Sequence, residues 1–92
     1  MRLLSMTMGA LAVAAALGAA AAHAQGSCQS LWVERNSYYK DAGYCFRTQR
    51  AIAYFGNGGC YVYHEGQIRF PPGVWARIQE IRRLERQLGC PM

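Results

Sequence analysis

Three stretches of the chain repeat their large apolar residues at helical intervals, and the stretch between the second and third does not. In the first, Ser30 is placed as an N-cap with Glu34 in the first turn or just beyond it, and Leu31, Arg35, Tyr38 and Ala42 recur at steps of four, three and four, with Trp32 and Tyr39 beside them. Gly43, able to take positive φ, is the expected stop. The second helix is predicted to start from Thr48 as N-cap and to run through Ala51, Ile52 and Phe55 until Gly56. Gly56-Asn57-Gly58-Gly59 supports no periodic element and reads as a turn. The third helix is predicted over Val74 to Leu88, introduced by Pro71-Pro72-Gly73, with Trp75, Ile78, Ile81, Leu84 and Leu88 forming one apolar stripe and Gly89, Cys90 and Pro91 closing it. Cys60 to Phe70 alternates less cleanly and is broken at Glu65-Gly66. It reads as extended, with a short hairpin in which Tyr61 to Tyr63 face Gln67 to Arg69.

The pattern implies a small α-rich domain of about three short helices around an aromatic core. Trp32, Tyr38, Tyr39, Tyr44, Phe46, Tyr54 and Phe55 all fall between Leu31 and Cys60. The third helix is expected to bury Trp75, Ile78, Ile81, Leu84 and Leu88 against Leu31, Trp32, Phe46, Ile52 and Phe55, leaving Arg82, Arg83 and Arg86 outward.

The first quarter of the chain changes this picture. Met1 and Arg2 precede a long alanine-rich apolar run that ends at Ala22-His23-Ala24, the A-x-A form of a signal-peptidase site, so residues 1–24 read as a cleavable export signal. A run of about 20 apolar residues is also long enough for a membrane anchor. Alanine dominates it, however, and no basic stop-transfer cluster follows. Gln25 spoils a lipidation pattern ahead of Cys28. A single domain over residues 25–92 remains, and below about 70 to 80 residues a hydrophobic core alone supplies only a few kcal/mol.

Four cysteines, all in that remainder, supply the reinforcement. An even count behind an export signal implies two disulfides in an oxidising compartment. Three pairings are open. Cys45 with Cys60 brackets the second helix and Cys28 with Cys90 joins the ends of the domain, and this pairing is the expected one. A zinc site fits less well because no C-x-x-C knuckle occurs, so no metal or cofactor is expected.

The chain carries ten Lys+Arg against five Asp+Glu, a modestly basic balance that favours anionic neighbours. His64 beside Glu65 invites acid–base chemistry, but adjacent residues of an extended segment face opposite ways. Neither a cysteine nucleophile nor a catalytic triad is supported. Glu34-Arg35-Asn36 sits within a helix that must pack, which assigns Arg35 and Asn36 a structural, hydrogen-bonded role. On the last helix Arg82, Arg83 and Arg86 form a candidate face for phosphate or carboxylate groups. Nucleic acid is not an expected partner.

Leu31-Trp32-Val33-Glu34-Arg35-Asn36, then Tyr38 to Phe46 and Tyr54-Phe55-Gly56-Asn57, together resemble the bacterial YARHG domain family. The family's L-W-x-x-R-N opening leads to a Y-A-R-H-G-Y-x-F stretch. Tyr39, Gly43, Tyr44 and Phe46 match it, whereas Lys40, Asp41 and Ala42 stand where the family has Ala, Arg and His. The G-Y-C-F and F-G-N-x-G-C patterns look like an exported, cysteine-containing proteobacterial branch. The resemblance implies an extracytoplasmic domain of a kind found beside peptidase and cell-wall-binding modules, and it supplies no catalytic residue. Two functional readings follow. One is a non-catalytic structural or binding module of the cell envelope, periplasmic or secreted, contacting anionic wall or membrane components. The other is a periplasmic enzyme or enzyme inhibitor that uses the His64-Glu65 loop.

Overall fold

The computed structural model describes residues 27–91. Residues 1–24, expected to be an export signal, lie outside the described residues. Three α-helices, here α1 (residues 27–41), α2 (Gln49–Phe55) and α3 (Pro72–Gln87), and a 3₁₀ turn at Glu65–Gln67 make up the regular structure. Among the described residues no helix is long and apolar enough to cross a membrane.

The caps explain where the helices stop. At the end of α1 the Tyr44 amide donates to the Tyr39 carbonyl and the Gly43 amide to the Lys40 carbonyl, with Gly43 at φ 83°. At the end of α3 Cys90 donates to Glu85 and Gly89 to Arg86, with Gly89 at φ 68°. Both are Schellman motifs, and each delivers a buried residue, Tyr44 or Cys90, directly after the left-handed glycine. The Thr48 side chain accepts from the Ala51 amide and so caps α2 as its sequence predicts. Helix α3 starts two residues ahead of Val74, because Pro72 has its φ preset for a first helical position. Ser30 is no N-cap: it lies within α1, which is already helical at residue 27.

Helices α1 and α3 run antiparallel, since the pairs Cys28–Cys90, Arg35–Glu85 and Tyr39–Arg82 step along them in opposite directions. The faces they bury differ from the expected stripes by about one position. In α1 Trp32, Asn36 and Tyr39 are buried, while Leu31, Arg35 and Tyr38 are half-buried. In α3 the buried residues are Ile78, Ile81 and Glu85; Leu84 is half-buried, and Trp75 and Leu88 are exposed. Ile52, expected in the core, is exposed as well. The apolar positions alone misplace these faces because each helix turns a polar side chain inward, and each is satisfied there. Trp32, Tyr39, Tyr44, Phe46, Ala51 and Ile78 form the core, with Phe55, Val62, Phe70 and Val74 packed at its margin.

The hairpin does not form. Val62 instead makes a parallel bridge with Tyr44, the Cys45 amide donating to Val62 O at 2.8 Å and the Val62 amide to Gly43 O at 2.9 Å. The Cys45–Cys60 disulfide, with Cα atoms 5.1 Å apart, draws residues 60–62 against 43–45 and uses the groups a hairpin would need. Asn57 completes the arrangement: its side-chain oxygen accepts from the Phe46 amide at 2.8 Å and its Nδ2 donates to the Phe46 carbonyl at 2.9 Å. One amide side chain thus replaces a missing strand. The second disulfide, Cys28–Cys90, ties the start of α1 to the end of α3, and both bridges match the pairing expected from the sequence.

Gly43 carries two constraints at once. Its φ lies in the left-handed region, and a Cβ there would overlap the Tyr61 ring, whereas Gly59, at φ 74°, has open space around it. Gly43→Ala should therefore destabilise by about 2 kcal/mol or more and Gly59→Ala by about 1 kcal/mol, measured by denaturant unfolding of the oxidised protein.

Candidate functional site

His64 occupies the N-cap position of the 3₁₀ turn and is exposed, as is Glu65. Among the described residues no group of three or more His, Cys, Asp or Glu side chains gathers into a metal site. Glu65 lines a cleft with Arg69 and Trp75, and His64 does not line that cleft.

Polar side chains converge instead along the α1–α3 seam. Arg35 grips Glu85 with both prongs of its guanidinium, Nε to Oε1 at 2.7 Å and Nη2 to Oε2 at 3.0 Å. The Glu85 side chain is 1% exposed and that of Arg35 17% exposed, so this bidentate bond lies inside the domain. Asn36 donates to the Trp32 carbonyl at 2.9 Å one turn back. Among the described residues no buried side-chain nitrogen or oxygen lacks a partner.

Glu34 is held by Arg77, Nε to Oε2 at 2.6 Å and Nη2 to Oε1 at 2.7 Å, and it accepts from the Tyr38 hydroxyl at 2.9 Å. The hydrogen bonds from Arg77 keep the Glu34 carboxyl below its ordinary pKa, against the opposing effect of burial, with the Tyr38 bond adding to the lowering. A depressed carboxyl pKa stabilises the fold above the ordinary carboxylate range, and this contribution fades as pH falls through the lowered value. Arg77 also reaches Glu80 at 3.4 Å.

The proposed arginine face divides. Arg83 and Arg86 are exposed and three positions apart, hence neighbours on α3. Arg82 is not outward: it is half-buried and its Nη2 donates to the buried Tyr39 hydroxyl at 2.7 Å. Burial raises the Tyr39 phenol above its ordinary pKa, with Arg82 opposing, so the ring stays neutral at physiological pH. Arg50, which the sequence does not single out, lies 3.8 Å over the Trp32 ring and donates to Gln29. These groups border a cleft of about 430 Å³ beside the Cys28–Cys90 bridge. Two further clefts, of about 590 and 420 Å³, lie on either side of Arg69 and Phe70.

The model of the YARHG domain matches residues 5–86. The chain belongs to the YARHG domain family. No curated protein and no solved structure matches it. In this YARHG domain the motif positions are those that build the scaffold. Trp32 fills the core, Arg35 holds Glu85, Asn36 bonds the helix carbonyl, and Tyr39, Gly43, Tyr44 and Phe46 form the turn out of α1 and its packing. Lys40, which replaces a motif alanine, donates to the Gly56 carbonyl at 3.1 Å and ties α1 to the end of α2. Asp41, where the motif has arginine, is exposed. The family and the two disulfides describe a small extracellular-type domain.

The division of the arginine face has a direct check. Arg82→Met keeps the aliphatic stem but leaves the Tyr39 hydroxyl without its donor, and should destabilise by about 1 to 2 kcal/mol. Arg83→Met should stay within about 0.5 kcal/mol of the parent in the same thermal unfolding experiment.

Proposed function

We propose that this YARHG domain is an exported, non-catalytic binding module of the cell envelope that engages anionic wall or membrane components. Residues 1–24 act as its cleaved export signal, and the mature domain works in the periplasm or outside the cell, where its disulfides persist. The observation that carries the reading is how the charges are spent. Glu34, Glu80 and Glu85 are taken up by Arg77 and Arg35 inside the domain's own ion pairs. Asp41 and Glu65 remain against Arg47, Arg69, Arg83 and Arg86, all exposed. With four exposed arginines against two carboxylates the remaining surface is net positive, and it attracts polyanions at long range. Arg83 and Arg86 supply the forked donors suited to phosphate or carboxylate oxygens.

Retention of the oxidised protein on purified cell-wall material and on phosphatidylglycerol vesicles tests the reading. Binding to at least one should weaken steeply as salt rises, because exposed charges are screened within about 8 to 10 Å at physiological ionic strength. Arg83→Gln/Arg86→Gln should reduce retention while leaving the melting temperature nearly unchanged. Retention that ignores both salt and the substitutions contradicts the proposal.

A further inference from the structure

Two aromatic rings in this domain are exposed on one side and braced on the other. Tyr61 is 71% exposed, yet its ring lies so close over Gly43 that any side chain at that position would overlap it. Trp75 is 48% exposed and stacks on Phe70, ring centroids 5.9 Å apart and planes 15° from parallel. Exposed aromatic surface of this size opposes solubility, and a fixed ring gains nothing over a mobile one unless something is to be laid on it. The two platforms border neighbouring clefts that meet along Arg69 and Phe70. Each cleft has the volume of an ordinary small-ligand site.

The polar groups of this groove differ from those of the rest of the surface. Asp41 lines one cleft and Glu65 the other, and Arg69 stands between them. These are the two carboxylates that, among the described residues, take part in no ion pair. A groove with two carboxylates, one guanidinium and two flat rings is poorly matched to a polyanion. It fits a chain of neutral polyhydroxyl rings. The C–H face of a pyranose meets the electron-rich face of an aromatic ring, while its hydroxyls donate to carboxylates and accept from a guanidinium.

We infer that the Tyr61–Arg69–Trp75 groove is a glycan-binding site for a neutral pyranose chain, with Tyr61 and Trp75 as stacking platforms and Asp41, Glu65 and Arg69 as hydroxyl partners. The inference rests on the binding-module reading but assigns a separate face, distinct from Arg83 and Arg86. Gly43 then has a second use, since it seats the Tyr61 platform as well as ending α1.

Calorimetric titration of the oxidised protein with cellohexaose and with chitohexaose tests it. At least one should bind at millimolar concentration or below, with an affinity nearly independent of salt. Tyr61→Ala and Trp75→Ala should each weaken it about tenfold, and Trp75→Tyr, which keeps a platform, should retain most of it. Arg83→Gln/Arg86→Gln should leave oligosaccharide affinity unchanged, so salt-sensitive retention on anionic material and oligosaccharide binding fail independently. No heat with either oligosaccharide, equal affinity in both platform variants and the parent, or loss in Trp75→Tyr equal to that in Trp75→Ala overturns the glycan site. So does a change of oligomeric state in the platform variants, which makes the groove a contact between copies of the chain.

Discussion

The structure depends on one bidentate ion pair closed inside the α1–α3 seam. Arg35 and Glu85 join two antiparallel helices where an apolar pair is the ordinary solution, and a buried charge without its partner costs several kcal/mol. The pair therefore fixes register: a shift of either helix by one residue separates Arg35 from Glu85 and leaves Glu85 buried alone. Tyr39–Arg82 and Glu34–Arg77 extend the seam. The Cys28–Cys90 bridge locks one end of it. In a domain this short, that combination substitutes for core volume.

The segment between the helices is held by different means. Few backbone bonds are available because residues 43–46 and 57–63 form no ladder beyond one bridge. The Asn57 side chain, the Cys45–Cys60 bond and the Gly43 carbonyl, which accepts from both the Tyr61 and Val62 amides, pin the connection instead. Such point fastenings let an irregular loop present fixed rings. The exposed aromatic groove and the exposed arginines of α3 are thus carried by a scaffold whose core and buried polar groups are already satisfied among the described residues.

Much of this was legible in the sequence, unevenly. Thr48, Gly43 and Gly89 mark helix ends because caps are local chemistry, and of the three open disulfide pairings the one expected, bracketing α2 and joining the ends of the domain, is the one that forms. The helical period is equally visible, but its phase is not. Reading apolar residues alone puts Trp75 and Leu88 inward, whereas the Ile78–Ile81–Glu85 spacing keeps the same period with a glutamate in the core. That choice needs Arg35 across the interface, and sequence distance hides it. The Val62–Tyr44 bridge is hidden for the same reason: cross-linking and Asn57 override a local tendency toward a hairpin. Arg82 looks like its neighbours Arg83 and Arg86 until the Tyr39 hydroxyl beneath it is located.

The most direct test of this account is a double-mutant cycle on the oxidised protein, comparing Arg35→Met, Glu85→Leu and Arg35→Met/Glu85→Leu by urea unfolding. If the pair organises the seam, each single change destabilises by about 3 kcal/mol, since it strands a buried charge or its shape-matched partner, and the double change costs about 4 kcal/mol rather than the additive value of about 6, a coupling of about 2 kcal/mol. Single changes that add to within about 0.5 kcal/mol contradict it and return the organising role to the apolar core and the disulfides.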